Sequence, residues 1–237
     1  MFLIALTLGA AFLFTLWLGR RLGVAPNLVQ LIAAGTSICG ASAVIATDAV
    51  TRAPDEDVAY AIACVTVFGS LSMVLYPALG GLLPLSAQGY GLRAGASIHE
   101  VGHVFAAGYQ KGQAAGDFAT ISKLTRVMML APVVLILGRL AARRSTGEGA
   151  KAPMPWFILG FLAMVGLAST RVLPQPALHA SATLTQILLA MALAAIGLET
   201  DVRKLCAKGL RPLALGAASW IFIASFALVL VMIAGQG

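Results

Sequence analysis

The chain has 237 residues, of which 59% are hydrophobic and 11% charged, where an ordinary soluble domain carries about 25% charged residues. It cannot cover itself with polar surface, and its segments are apolar all round rather than on one stripe, which excludes a soluble helical bundle. The net charge of +7 does not indicate nucleic acid, because Arg20, Arg21, Arg139, Arg143, Arg144, Lys151, Arg203, Lys204, Lys208 and Arg211 gather in or beside short loops, where they set topology.

In chain order the first expected crossing is Met1 to Gly19. It lacks the basic start of a signal peptide and ends in Arg20 and Arg21, which read as a cytoplasmic anchor. Further apolar segments follow at Pro26 to Arg52, Asp57 to Leu83, Ala87 to Gln110, Ala114 to Ala142, Pro153 to Thr170, Pro176 to Glu199 and Pro212 to Ala234. Most exceed the ~18 to 20 residues that cross a hydrocarbon core. The fold class expected is therefore an all-α polytopic membrane protein of about eight transmembrane segments, in one transmembrane domain over 1–237. If each segment crosses once, the basic loops face the cytoplasm together and the acidic turn Arg52 to Asp57 lies outside. Cys39, Cys64 and Cys206 show neither metal nor disulfide spacing.

The second and fourth segments are not clean helices. Ala34-Gly35-Thr36-Ser37-Ile38-Cys39-Gly40 and Arg93-Ala94-Gly95-Ala96-Ser97-Ile98-His99-Glu100 interrupt them near their middles with glycine and small polar side chains. The two stretches align at an offset of 60 residues: Gly35, Ser37 and Ile38 with Gly95, Ser97 and Ile98, and further on Asp57 and Ala59 with Asp117 and Ala119. Repeat units of about 26–84 and 86–144 follow, with C-terminal helices over 153–237. The repeats are parallel if both broken segments cross, and inverted if both are re-entrant hairpins.

A helix broken inside a bilayer leaves backbone groups unpaired, which is tolerated only where protein or water satisfies them. Transporters use such breaks, aiming half-helix N-termini at anionic substrates near the midplane. The opposing reading is that glycine and serine merely let helices pack closely. Inside the expected spans lie His99, Glu100 and His103, then Lys123 and Arg126, and nearer an edge Asp48. Charges there are costly and usually pair or line a cavity. Lys123 and Arg126 share one helix face and can present cations to an oxyanion, or serve as a structural pair with Glu100. His99-Glu100-Val101-Gly102-His103 also matches His-Glu-x-x-His, in which two histidines one turn apart bind zinc and the glutamate acts as general base. It looks like the active-site helix of site-2-type intramembrane proteases, yet the Asp-Gly ligand motif of that family is missing from the chain.

Gly35 to Ala43, Gly95 to Val101, Lys123-Leu124-Thr125-Arg126-Val127 and Ala190 to Leu198 together resemble the bacterial YeiH family, to which sulfate export is attributed. The likeness runs from about Leu28 onward. It implies a multi-pass protein of the bacterial inner membrane and a small anion as partner besides the bilayer. Two departures stand out: the N-terminal helices usual in that family do not precede these motifs, as expected of a fragment of a longer protein or of a chain lacking half of a repeat, and many relatives carry another residue at the place of His103.

The expectation is thus a secondary exporter of a small anion such as sulfate, with no cofactor. Gly35, Thr36, Ser37, Gly40, Ser42, Gly95, Ser97, Lys123 and Arg126 would bind substrate, and His99 and Glu100 would carry the proton. Zinc held by His99 and His103 in a protease is the alternative, and a membrane protein without transport activity of its own is the third.

Overall fold

The computed structural model describes residues 1–80, 83–144 and 209–235, with isolated positions between 160 and 194, and the regular structure among them is α-helical. The segments expected at Pro153 to Thr170 and Pro176 to Glu199, the Ala190 to Leu198 motif and Cys206 lie outside the continuously described residues. The helices are α1 (Phe2–Leu22), α2 (Pro26–Ser37), α3 (Ala41–Thr51), α4 (Asp55–Leu79), α5 (Ala87–Ser97), α6 (Val101–Tyr109), α7 (Gln113–Met128), α8 (Leu130–Arg144) and α9 (Leu210–Ile233). Among the described residues four stretches are long and apolar enough to cross a membrane: α1, α4, Gln113–Gly138 through α7 and α8, and α9. Their outer faces show Leu13, Trp17, Val74, Ile121, Ile136, Ile221 and Val229 exposed, as lipid contact requires.

The two broken segments do not cross. A Cβ on Gly91 would meet Ala115 and Phe118, and one on Gly95 would meet Ser122 and Lys123, so α5 and α7 run side by side in the same direction. Gly108 of α6 faces Gly116 and Ala119, which sets α6 antiparallel to α7, and Tyr90 Oη at the start of α5 donates to Ala107 O near the end of α6 (3.1 Å). The chain therefore turns back at Ile98 to Glu100, and α5–α6 is a re-entrant hairpin. In the first unit Gly35 of α2 packs against both Val44 of α3 and Val65 of α4, while Leu28 and Val24 share a core with Tyr60 and Ala61 at the start of α4. Here too the chain turns back, at Ile38 to Gly40.

Each unit is thus a hairpin followed by a long helix. Because α4 crosses once between them, the hairpins enter from opposite faces and the units are inverted, the second of the two arrangements that the repeat allows. The acidic turn Arg52 to Asp57 consequently lies on the same face as Arg20 and Arg21, not on the opposite one. A crossing was expected there because α2 and α3 together are long enough to span, and length does not record a reversal. Arg211 approaches Gly23 on this face as well, and α8 runs toward it, ending at Arg144. By the excess of cations it is the cytoplasmic face. Lys111, stacked over Tyr90 at 5.9 Å, marks the other.

Cysteines introduced at Arg20 and Asp55, in a chain freed of its own three, should label from the same side of sealed vesicles, and one at Lys111 from the opposite side. Labelling of Asp55→Cys together with Lys111→Cys would return α2–α3 to a crossing.

α1 and α9 close one side of the bundle. Phe14 stacks on Phe222 with centroids 4.1 Å apart, Thr15 Oγ1 donates to Ser219 Oγ (2.9 Å), and Trp220 Nε1 donates to Ser72 Oγ of α4 (2.6 Å).

Candidate functional site

The hairpin tips meet in the interior, and how each is made follows from its residues. In the first, Gly40 adopts φ 75°, ψ −134°, a conformation that L side chains rarely adopt. In the second, Ile98 and Glu100 are extended (ψ 139° and 151°), and no positive φ is needed.

Each first half-helix ends in carbonyls without intrahelical partners, and with no bulk water at this depth the protein itself must satisfy them. Lys123 and Arg126, both fully buried on α7, do so for both hairpins. Lys123 Nζ donates to Ile38 O (3.0 Å), Ile98 O (2.8 Å) and His99 O. Arg126 donates through Nε to Ser37 O (2.6 Å), through Nη1 to Ala96 O (2.8 Å) and Ile98 O (3.3 Å), and through Nη2 to Thr36 O. Two positive charges thus sit where two helix dipoles present their negative ends.

The second half-helices begin at the same junction. Glu100, 6% exposed, stands before α6, but its side chain reaches across to the start of α3, where its carboxylate faces the Ala41 N–H. A Cβ on Gly40 would collide with Glu100 Cγ, so glycine there serves both the turn and this approach. Thr66 Oγ1 of α4 donates to Glu100 Oε1 (3.2 Å). Oε2 lies 3.5 Å from His103 Nδ1, too far for a good hydrogen bond, and neither atom has another partner. Both ring nitrogens of His99 and the hydroxyl of Ser37 are likewise buried and unpartnered.

Against the expected site residues the outcome is uneven. Thr36, Ser37, Gly40, Ser97, His99, Glu100, Lys123 and Arg126 all gather at the junction. Gly35 and Gly95 do not present amides to it: they lie inside α2 and α5, where a side chain would strike Val44 and Val65, or Ser122 and the α7 backbone. That is the close-packing role of small residues. Ser42 faces the exposed side of α3. Ser97 Oγ is engaged already, donating to Arg93 O (2.5 Å) and paired with Tyr76 Oη (2.6 Å). Lys123 has all three N–H groups on carbonyls and, in this conformation, none for a substrate oxygen; nor does it form an ion pair with Glu100. His99 precedes α6, so His99 and His103 are not displayed one turn apart on a helix as the zinc motif needs, and among the described residues no group of three potential ligands gathers. Asp48 accepts from Ala53 N (2.8 Å) and holds the α3–α4 turn.

Sequence reasoning missed Thr66, although the signal was there: it stands 60 residues before Arg126, at the matching position of the first repeat. The same offset pairs Gly40 with Glu100, Cys39 with His99, Ala43 with His103 and Ala63 with Lys123. The carboxylate, the imidazoles and the cations at the junction therefore come from the second unit, and the first supplies Cys39 and small residues that make room.

Gly40→Ala should destabilise the protein by about 2 to 4 kcal/mol, from the backbone strain and the collision with Glu100. Denaturation in detergent measures this, and an unchanged midpoint would mean that Glu100 does not lie against Gly40.

The family profile described as "Conserved hypothetical protein 698" matches residues 1–216. Among curated relatives, the UPF0324 membrane protein of Yersinia pestis is 41% identical over 231 residues, covering 92% of this chain and 64% of the relative. The UPF0324 membrane protein of Pseudomonas aeruginosa is 42% identical over 233 residues (92% and 66%), and the UPF0324 inner membrane protein YeiH of Escherichia coli K12 is 39% identical over 226 residues (92% and 65%). The chain spans less than two thirds of the length of these relatives. No solved structure matches significantly.

Proposed function

The chain belongs to the YeiH (UPF0324) family of multi-pass bacterial inner-membrane proteins, and from that premise we propose that it is a secondary transporter of a small anion, of which sulfate is one candidate, with Glu100 as the proton carrier. The observation that carries this reading is the junction of two opposed re-entrant hairpins, pinned by Lys123 and Arg126 and holding a buried carboxylate at the start of α3.

The chemistry follows from what the Glu100 side chain occupies. A helix N-terminus favours an anion, and at α3 that anion is Glu100 itself. A substrate anion can take the Ala41 amide only when the carboxylate gives up its charge or moves away, since two negative charges side by side in a medium of low dielectric repel strongly. Protonation of Glu100 and anion binding therefore favour one another, which is the requirement for moving a proton and an anion together. Lys123 and Arg126 contribute the fixed positive field rather than direct contacts. Ser37, His99 and His103 keep polar atoms available at the junction.

The zinc-protease alternative requires His99 to join α6 and a third ligand to reach it. The test is anion binding and flux with the reconstituted chain, using sulfate, sulfite and a small carboxylate with and without chelator. Chelator-insensitive, pH-dependent flux of one anion supports transport. Stoichiometric zinc with no flux would move the reading to a protease, and neither zinc nor flux from a well-folded chain would leave a membrane protein with no transport activity of its own.

A further inference from the structure

A substrate anion inside the span is further stabilised by a cation that can touch it, and Lys123 and Arg126 have their donors on backbone carbonyls. A third interior cation does not. Arg93 of α5 is 6% exposed, and its Nε and Nη1 are buried with no hydrogen-bond partner. Among the described residues no carboxylate pairs with it; Glu100, the acid at the junction, is held by Thr66 and the Ala41 amide and lies 3.5 Å from His103. Its guanidinium lies over a ring face, with the carbon 4.5 Å from the centroid of Tyr76 on α4. Stacking of this kind fixes the guanidinium plane while leaving N–H groups at its edge unbonded.

We propose that Arg93 is the substrate's counter-charge, a binding residue for a small oxyanion or carboxylate on the non-cytoplasmic side of the hairpin junction. The proposal rests on the transport reading and deepens it. Arg93 lies six residues into α5, about 9 Å from its start. It is tied toward the junction by a short polar relay: Ser97 Oγ donates to Arg93 O, and Tyr76 Oη pairs with Ser97 Oγ. An anion at Arg93 meets a donor fork suited to carboxylate or sulfate oxygens, and the next positive field along the hairpin is that of Lys123 and Arg126. An unpaired cation in an apolar span is otherwise costly to keep, and a transported anion is a partner that comes and goes.

The experiment is anion binding to the purified full chain, with sulfate and acetate as probes, comparing wild type with Arg93→Gln and Arg93→Lys, alongside thermal melts. Arg93→Gln should weaken binding at least tenfold while melting close to wild type, with Arg93→Lys intermediate because it keeps the charge and loses the fork. Wild-type affinity in Arg93→Gln overturns the proposal and leaves the transport reading standing. Should Arg93→Gln fail to fold, Arg93→Lys decides: undiminished affinity overturns the assignment, and a severalfold loss supports it. A wild-type chain that binds and moves neither anion overturns the transport reading, and this assignment with it.

Discussion

Arg126→Ala is expected to cost about 3 to 5 kcal/mol of stability and to abolish any transport, as a consequence of lost structure rather than of a lost ligand. Arg126 bonds Thr36, Ser37, Ala96 and Ile98 carbonyls on two separate hairpins. Its removal leaves buried acceptors with no donor and takes away a charge that faces two helix C-termini, and hydrogen bonds to charged groups contribute about 1.5 to 3 kcal/mol each before relaxation. Arg126→Lys should recover little, since a single ammonium does not reproduce a planar fork that reaches both tips. Lys123→Ala should behave similarly and more mildly, with three acceptors lost. Denaturant or thermal midpoints in detergent measure both. A stable, monodisperse Arg126→Ala protein that had lost only anion binding would restore Arg126 as a direct substrate ligand. Flux lost on replacing either cation is therefore not evidence for substrate contact unless stability is measured beside it.

Glu100→Gln is expected to leave the fold standing and to lower proton-driven flux by at least tenfold. The amide keeps the size of the carboxyl group and can still accept from Thr66, so the contacts across Gly40 survive; what disappears is the group that, on the proposed transport reading, would alternate between charged and neutral. The groups facing it are Thr66 on α4, the Ala41 amide on α3 and His103 on α6, with Lys123 and Cys39 nearby at the junction. None of these restores a carboxylate. Anion binding itself should persist in Glu100→Gln and lose its dependence on pH, because the neutral side chain mimics the protonated state that admits the anion. The measurement is anion uptake into vesicles with and without an imposed pH gradient. A Glu100→Gln protein that answers the gradient as wild type does would assign proton coupling elsewhere, with His103 the next group to test.

Much of this was legible in the chain. A hydrophobic share of 59% and uncharged runs of spanning length fix the solvent as lipid, since these are properties of local composition that no tertiary contact can reverse. The two breaks were visible for the same reason: glycine and small polar residues at matching places, 60 apart, weaken a helix wherever it packs. The family motifs lie on those breaks and on the α7 cations, so the residues of the junction were found even where the atoms they meet were not.

What the chain did not disclose is the direction it takes after each break and the atoms its charges meet. A hairpin and a bent crossing have the same length and the same hydropathy; Gly95 against Ser122, Gly108 against Gly116, and Gly35 against Val65 decide between them, through contacts with helices far along the sequence. Reversal then carries the acidic turn to the cytoplasmic face and brings two carbonyl ends onto Lys123 and Arg126, turning cations that looked like substrate ligands into caps. It also brings Thr66 to Glu100, and Tyr76 to Arg93. Hydropathy is a sum over neighbours in sequence, whereas a buried charge takes its role from whatever the fold places around it, and that partner exists only once both hairpins are in place.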